Sequence, residues 1–297
     1  MARLRRAPCR VSFYPGGCTS QLDELAPGVP TRLASGRATL AFRTSGLKTV
    51  LSRAHATSPV RLLTPRNHGN GAWVFLASLG GGLVDGDDVA VDVDAREGAS
   101  AFISTQASTK IYRSPTGCSQ RFDVRVQDDA ALALVPDPVV CFAGARYSQT
   151  LNVRMAPGAS LLLMDGYTSG RAARGERWEF ARYASRTTVV RDNRFVLVDA
   201  TRLDPMSGSI ADRMGRYEVF LTLVAVGPRF ASVRAAMLEP PSRSESNDTI
   251  AAASALATDG AILRLASTRT ESAIRMFRPS FAALAKVLGD DPFARKW

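Results

Sequence analysis

Alternating hydrophobic and polar positions recur three times along the chain. Residues 91–103, 122–134 and 151–163 align without a gap, and each stretch predicts a strand, a tight turn and a second strand. A recurrence of roughly 30 residues is typical of repeat proteins, whose units bury their apolar faces against one another. The pattern therefore predicts a mainly β fold, a stacked β-helix-like solenoid sandwich, with a weaker fourth copy over residues 189–198.

The remaining sequence predicts one domain over residues 36–297, preceded by a loosely ordered arm over residues 1–35. The arm is rich in turn-forming residues and has little periodicity. Helical spacing of hydrophobic residues predicts two late helices, near residues 229–238 and 270–288, with a polar loop over residues 240–248 between them. These helices either cap the β stack or face a partner protein.

The composition narrows the class of protein only slightly. The formal net charge of +11 indicates attraction to an acidic surface, and only four of the 38 basic residues are lysine. We expect no membrane association, because no apolar run approaches the roughly 18 residues that span a bilayer. The four cysteines lack the spacing of a zinc site or a disulfide framework, which favours reduced thiols and a cytoplasmic location.

Polar segments follow the second strand of each unit. Thr105, Pro136 and Asp165 occupy equivalent positions in the three units, so we expect them to lie along one edge of the stack. The segments that begin there would then share a face. The charged and aromatic residues of this face are Lys110, Tyr112, Arg113, Asp137, Arg146, Asp165, Arg171 and Glu176.

This face has two interpretations that can both hold. In the first, basic residues pair with carboxylates to fasten the loops, or form a docking surface; the candidates are Lys110, Tyr112, Arg113, Arg146 and Arg171. In the second, carboxylates line a polar passage that accepts a cation without holding it tightly; the candidates are Asp87, Asp137, Asp165 and Glu176. Glycines predicted to shape the connecting turns are Gly81, Gly82, Gly86, Gly170 and Gly175.

Familiar catalytic and metal-binding motifs are missing from the sequence. His55 and His68 have no companion at ligand spacing, so no tight metal site, bound cofactor or catalytic set is predicted. Two other functions remain as alternatives. The excess of arginine would suit a protein that binds nucleic acid or an acidic surface, although the arginines are scattered without interleaved aromatic residues. A hydrolase would use Asp137, Asp165 or Glu176 as acid and base.

Several blocks of the chain resemble one known family, that of the urease accessory protein UreD, called UreH in some bacteria. The similarity runs over residues 36–288, and its most specific block is TQASTK. Two positions depart from the family pattern: Asp85 stands where glycine is usual, and Asp137 stands where many bacterial members have glutamate. The matching blocks are residues 81–87 (GGLVDGD), 105–113 (TQASTKIYR), 136–142 (PDPVVCF), 144–146 (GAR), 169–176 (SGRAARGE) and 209–214 (SIADRM).

The resemblance implies a maturation factor that is not an enzyme. Such proteins resemble β-helical scaffolds that bind the accessory protein UreF, and through it the GTPase UreG, and dock on urease apoprotein. Nickel is then inserted into the urease active site. In this chain the resemblance implies that nickel is carried in transit past the carboxylates of the polar face.

Overall fold

The structure is a computed structural model that describes residues 36–239, 248–257 and 259–294. The arm expected over residues 1–35 and all but the last residue of the loop expected over residues 240–248 lie outside the described residues. Within these ranges, none of the helices combines the length and the hydropathy that crossing a bilayer requires.

The described residues form a mainly β structure, with seventeen strands and four α-helices. In chain order the strands are β1 Gly36–Ser45, β2 Lys48–Ala56, β3 Val60–Leu63, β4 Ala72–Ser78, β5 Asp88–Ala95, β6 Ser100–Thr105, β7 Lys110–Ile111, β8 Cys118–Val126, β9 Ala131–Leu134, β10 Val139–Cys141, β11 Arg146–Met155, β12 Ser160–Thr168, β13 Arg182–Arg191, β14 Arg194–Leu203, β15 Val219–Val226, β16 Thr249–Ala255 and β17 Gly260–Ser267. The helices are α1 Ile210–Met214, α2 Ala231–Leu238, α3 Thr270–Met276 and α4 Arg278–Leu288.

Two mixed sheets carry these strands. The first sheet has the order β14-β13-β11-β8-β5-β1-β2, with parallel pairing from β1 to β13 and an antiparallel strand at each end. The second has the order β16-β17-β15-β12-β9-β6-β4-β3, with β10 attached to β12 and β7 attached to β10. Parallel pairing between distant strands requires long crossover connections, and here each crossover runs through the other sheet.

The three sequence units cross from the first sheet to the second through tight turns. They place β5, β8 and β11 side by side in the first sheet and β6, β9 and β12 side by side in the second. Phe122 pairs with Val91 on one side and with Leu151 on the other. In the second sheet Leu134 pairs with Ile103 and Leu163. The observed register is therefore the one that the gapless alignment of the units predicts.

The fourth unit takes a different path. Its turn lies at Asp192 and Asn193 as predicted, and both residues have the left-handed conformation that tight hairpins require. The strand that follows, β14, does not cross over but pairs antiparallel with β13. The fourth unit is thus a hairpin that ends the first sheet.

Two hydrophobic layers hold the fold together. The first lies between the sheets and includes Phe42, Phe122 and Leu161. The second lies between the second sheet and the helices and includes Phe102, Phe230 and Phe281. Side chains alternate across each strand of the second sheet, so its strands contribute to both layers.

The late helices differ from the prediction in one respect. Residues 231–238 form α2 after a short 3-10 turn, but the predicted helix over residues 270–288 is broken at Phe277 into α3 and α4. Pro279 lacks an N–H and sits in the first turn of α4, where that donor is not needed. Both late helical segments cover the second sheet. The short helix α1, capped by Ser209, was not predicted.

Candidate functional site

A row of polar side chains interrupts the hydrophobic layer between the two sheets. Gln120 on β8, Gln149 on β11 and Ser185 on β13 are consecutive partners in the first sheet, with Gln120 opposite Gln149 and Gln149 opposite Ser185. We call these three residues the polar row. Each occupies a position in its strand that alternation assigns to the apolar face, since Phe122, Leu151 and Thr187 lie two residues further on and are buried.

Asp165 on β12 faces the polar row from the second sheet. Gln149 Nε2 donates a hydrogen bond to Asp165 Oδ1 at 3.0 Å, and Ser185 Oγ donates one to Asp165 Oδ2 at 2.8 Å. The hydroxyl of Tyr147 lies 3.1 Å from Oε1 of both Gln120 and Gln149 and can donate to either. These contacts fix the orientation of the row toward the carboxylate.

Burial raises the pKa of the Asp165 carboxyl above its usual range. The hydrogen bonds from Ser185, Gln149 and the backbone of Gly166 oppose this shift, because they favour the charged form. Asp199 adds to the rise through like-charge repulsion. Asp165 is therefore a poorly solvated carboxyl group whose hydrogen-bond donors, among the described residues, are neutral.

Asp137 forms a second buried carboxylate beside Asp165. It is only 5% exposed, and Thr105 Oγ1 donates to its Oδ2 at 2.9 Å. The same Oγ1 accepts the backbone N–H of Asp137 at 2.8 Å. The two residues are 32 positions apart in sequence, and only the pairing of β6 with β9 brings them together.

One cavity borders these carboxylates, and a second cavity shares part of its wall. The inner cavity, about 20 Å³, is bordered by Thr105, Pro136, Asp137, Gln149 and Asp165, among others. The three equivalent positions of the sequence units therefore do lie along one edge. The outer cavity, about 150 Å³, shares Thr105, Thr109 and Gln120 with the inner one and extends to Gly81 and Lys110.

The other two candidate carboxylates take part in loop contacts instead. Asp87 Oδ2 accepts the backbone N–H of Val84 at 2.8 Å. Glu176 accepts from Nε and Nη2 of Arg171 and from the backbone N–H of Ala143. The guanidinium of Arg171 lowers the pKa of Glu176, the hydrogen bond between them being the largest cause. Neither carboxylate borders the inner or the outer cavity.

Asp85, the departure from the family pattern, also joins two loops. Its Oδ1 accepts the backbone N–H of Thr116 at 2.8 Å, the Thr116 hydroxyl at 2.9 Å and the N–H of Gly117 at 3.0 Å. Asp85 is not among the described residues with positive φ. Its carboxylate thus supplies contacts that a glycine at this position could not make.

Two of the basic and aromatic candidates, Arg171 and Tyr112, contact Phe142. The guanidinium of Arg171 stacks 4.1 Å from the ring centroid of Phe142, and the ring of Tyr112 meets the same ring edge-on at 5.2 Å. Lys110, Arg113 and Arg146 are exposed. Of the pairings expected for Lys110 and Arg171, the described residues contain the one between Arg171 and Glu176.

The candidate glycines lie at turns and close approaches. Gly81, Gly86, Gly170 and Gly175 have positive φ. At Gly82 a Cβ would lie 2.4 Å from the carbonyl oxygen of Lys110, which leaves no room for a side chain.

Among the described residues, neither cysteine thiolates nor a cluster of metal-ligating side chains adds to this site. Within the described part of the chain, no group of three His, Cys, Asp or Glu side chains is placed to hold a metal ion. Burial raises the pKa of the Cys118 thiol to about 11 and that of Cys141 higher still, so both remain protonated at neutral pH. Any cation that enters the cavities would meet oxygen ligands.

Sequence reasoning found Asp137 and Asp165. It missed Thr105 as the hydrogen-bond partner of Asp137, and it missed the whole polar row. A signal was present, because Gln120, Gln149 and Ser185 are polar residues at equivalent apolar-face positions of successive units. One such residue is unremarkable, whereas three in register form a continuous polar strip.

Comparison with known proteins identifies the family. A family model described as UreD urease accessory protein matches residues 34–297. A urease accessory protein UreD of Sorangium cellulosum (strain So ce56) is 52% identical over 264 residues, covering 89% of this chain and 85% of that protein. A UreD protein of Anaeromyxobacter sp. (strain Fw109-5) is 44% identical over 296 residues, covering 98% and 96%. Urease accessory protein D of Oryza sativa subsp. indica is 31% identical over 295 residues, covering 88% and 96%.

These matches confirm the family resemblance that the sequence blocks indicated. They extend over the sheets, the cavities and the late helices alike. The chain belongs to the UreD family of urease accessory proteins.

Proposed function

We propose that this chain is a non-catalytic urease maturation factor that acts in the cytoplasm. It binds urease apoprotein and UreF, and through UreF the GTPase UreG, and assists the insertion of nickel into the urease active site. Membership of the UreD family supports this proposal. The stack of three units acts as a short β-helix-like scaffold that keeps the partner surfaces and the cavities in fixed positions.

The observation that carries the nickel part of the proposal is the pair of carboxylates, Asp137 and Asp165, beside the inner cavity. The groups that shift the pKa of Asp165 are its own burial, neutral donors and another carboxylate, so none of the basic residues that the structure describes is among them. Ni²⁺ in transit would supply the missing positive charge. Carboxylate and amide oxygens bind such a borderline cation more weakly than histidine or thiolate, as transfer to urease requires.

The size of the inner cavity supports transit rather than catalysis. About 20 Å³ accommodates a water molecule or an ion, whereas pockets for organic substrates measure roughly 300–1,000 Å³. This favours the passage over the hydrolase alternative. We propose that the ion enters through the outer cavity, passes the three shared wall residues and reaches Asp165. Asp87 and Glu176 then serve to fasten loops.

Substitution of the cavity carboxylates tests the passage. We expect Asp165→Asn and Asp137→Asn to lower the nickel content of urease when each variant is co-expressed with urease and the other accessory proteins. Asp123→Asn is the matched control, since Asp123 is exposed and pairs with Arg121 on the outer side of the first sheet. Nickel content measured by atomic absorption that is equal in all three variants and the wild type would exclude the passage.

Complex formation is tested separately with the same variants. We expect tagged wild-type chain, Asp165→Asn and Asp137→Asn to retain UreF and urease equally in a pull-down, because the cavity is internal. We also expect UreF to keep the chain soluble by covering apolar surface. Failure of the wild-type chain to retain either protein would contradict the maturation role itself.

A further inference from the structure

Among the strands that the structure describes, β16 is an end strand of the second sheet without the usual protection of an edge. Among the described strands it pairs with β17 alone, over seven consecutive residues without a register shift. Its sequence, TIAAASA, contains no charge and no proline, and Ile250 is 54% exposed. An uncharged, regular edge strand of this kind is a template for pairing with another strand.

The end strands β2, β14 and β3 are protected against such pairing. In the first sheet, β2 carries Lys48 and Arg53 and has a bulge in its pairing with β1. At the opposite end β14 carries Arg194 and Arg202, with a bulge against β13. In the second sheet β3 has only four residues, one of them Arg61. Charges, bulges and short length are the usual devices that block edges, and β16 has none of them.

The hydrogen-bond pattern of β16 shows which backbone groups are available. Leu256 N–H donates to Gly260 O, and Thr268 N–H donates to Asp248 O. The even-numbered residues of β16 therefore bond to β17, since the pattern alternates along an antiparallel pair. The N–H and C=O groups of Thr249, Ala251, Ala253 and Ala255 point outward from the sheet.

These outward groups are complementary to themselves. If a second copy of β16 pairs antiparallel about a two-fold axis at Ala252, Thr249 faces Ala255 of the other copy and Ala251 faces Ala253. All outward N–H and C=O groups of both strands then form hydrogen bonds. Apart from Ile250, which would face Ser254 of the other copy, the side chains at the seam are small, so they offer no pockets that would select a particular foreign peptide.

We infer that β16 is a homodimerisation edge, at which two copies of this chain join their second sheets through an isologous antiparallel strand pair. Two seven-residue strands bury much less than the roughly 1,200 Å² of a stable interface. The dimer therefore forms reversibly and increases with protein concentration. A two-fold contact of this kind closes after two copies and does not propagate into fibres.

Charged substitutions at the two-fold axis test this inference. In Ala252→Lys the two lysines face each other directly, which opposes dimerisation. We expect analytical ultracentrifugation of the full chain to show a concentration-dependent dimer for the wild type and a monomer for Ala252→Lys. Mixing Ala252→Lys with Ala252→Glu is expected to restore a heterodimer. Ala54→Lys is the matched control, because it adds the same charge at an exposed alanine of the protected edge β2.

A second variant probes the backbone without adding charge. Ala253→Pro removes an outward N–H that takes no part in the pairing with β17, so the fold is kept while the dimer is weakened. Circular dichroism verifies that each variant is folded. A wild type that stays monomeric at every concentration, or a dimer that persists unchanged in Ala252→Lys and Ala253→Pro, overturns the inference.

Discussion

The two hydrophobic layers of this protein differ in what they bury. In the layer between the second sheet and the helices, the buried polar side chains are small hydroxyls such as Ser104 and Ser160, and each bonds to nearby backbone. The layer between the sheets contains two carboxylates and two glutamines that border the inner cavity, and a tyrosine hydroxyl that bonds to the glutamines. The same alternating strands contribute to both layers.

This difference separates folding from function. A layer that buries hydroxyls but no carboxylate shows that the second sheet can be packed without buried charge, so the carboxylates between the sheets are not a requirement of β packing. Burying an ionised group costs free energy unless it is compensated. A protein keeps such a group, despite the cost in free energy, where the group has a role in function. The role that this cavity suits is cation transit.

The largest effect is expected from the apolar layer. Phe102 is completely buried and its ring contacts those of Trp73, Phe75 and Phe293. We expect Phe102→Ala to lower the free energy of unfolding by about 3–5 kcal/mol, because it removes buried surface and leaves a cavity. Urea unfolding followed by circular dichroism measures this loss.

The control for that variant is Phe195→Ala, at a position that is 68% exposed on β14. It is expected to change stability by no more than about 0.5 kcal/mol. Equal losses in the two variants would mean that the helix layer is not the stabilising core that the packing indicates.

A smaller effect on stability, and one that depends on pH, is expected for Asp165→Asn. Burial raises the pKa of Asp165 in the folded state above its unfolded value. Between these two pKa values the folded protein binds the proton more tightly, so the wild type loses stability as pH rises through that interval. Asparagine does not titrate, so the variant is expected to lack this slope and to differ from the wild type by less than about 1 kcal/mol at pH 7.

Urea unfolding at a series of pH values from 4 to 8 measures the slope for both proteins. A loss of stability in Asp165→Asn as large as that in Phe102→Ala would show that the carboxylate is structural. The contrast between the two layers would then disappear.

The smallest effect is expected at the surface pair of Arg171 and Glu176, whose side chains are 33% and 21% exposed. Arg171 lowers the pKa of Glu176, so the pair contributes stability above the unfolded pKa of glutamate and loses it as pH falls through the lowered value. In Arg171→Ala the pKa of Glu176 is expected to rise toward its usual range. The free energy of unfolding should change little, and the change should be smaller still at high salt.

Carbon-13 NMR titration of the Glu176 carboxyl measures this shift. Arg37→Ala, which removes the exposed partner of Asp92 instead, should leave the Glu176 titration where it is. An unchanged pKa in Arg171→Ala would contradict the assignment of the pair.

Local patterns predicted much of the architecture. Period-two alternation gave the units and their register because a slip of one residue would turn every apolar side chain toward solvent. The same reasoning failed for the fourth unit, since a hairpin and a crossover have the same local pattern. It also failed at Phe277, where the periodicity continues but the helix ends and a new one begins.

The sequence by itself determined which residues alternate, where the tight turns fall, how the three units align and to which family the chain belongs. The tertiary structure alone decided that Thr105 holds Asp137 and that Gln149 and Ser185 hold Asp165. The two members of each pair are separated by 16 to 32 residues in sequence. The alignment of the units predicts which strands pair, whereas side-chain contacts at such separations depend on how the loops and the two facing sheets pack together, which no local pattern encodes.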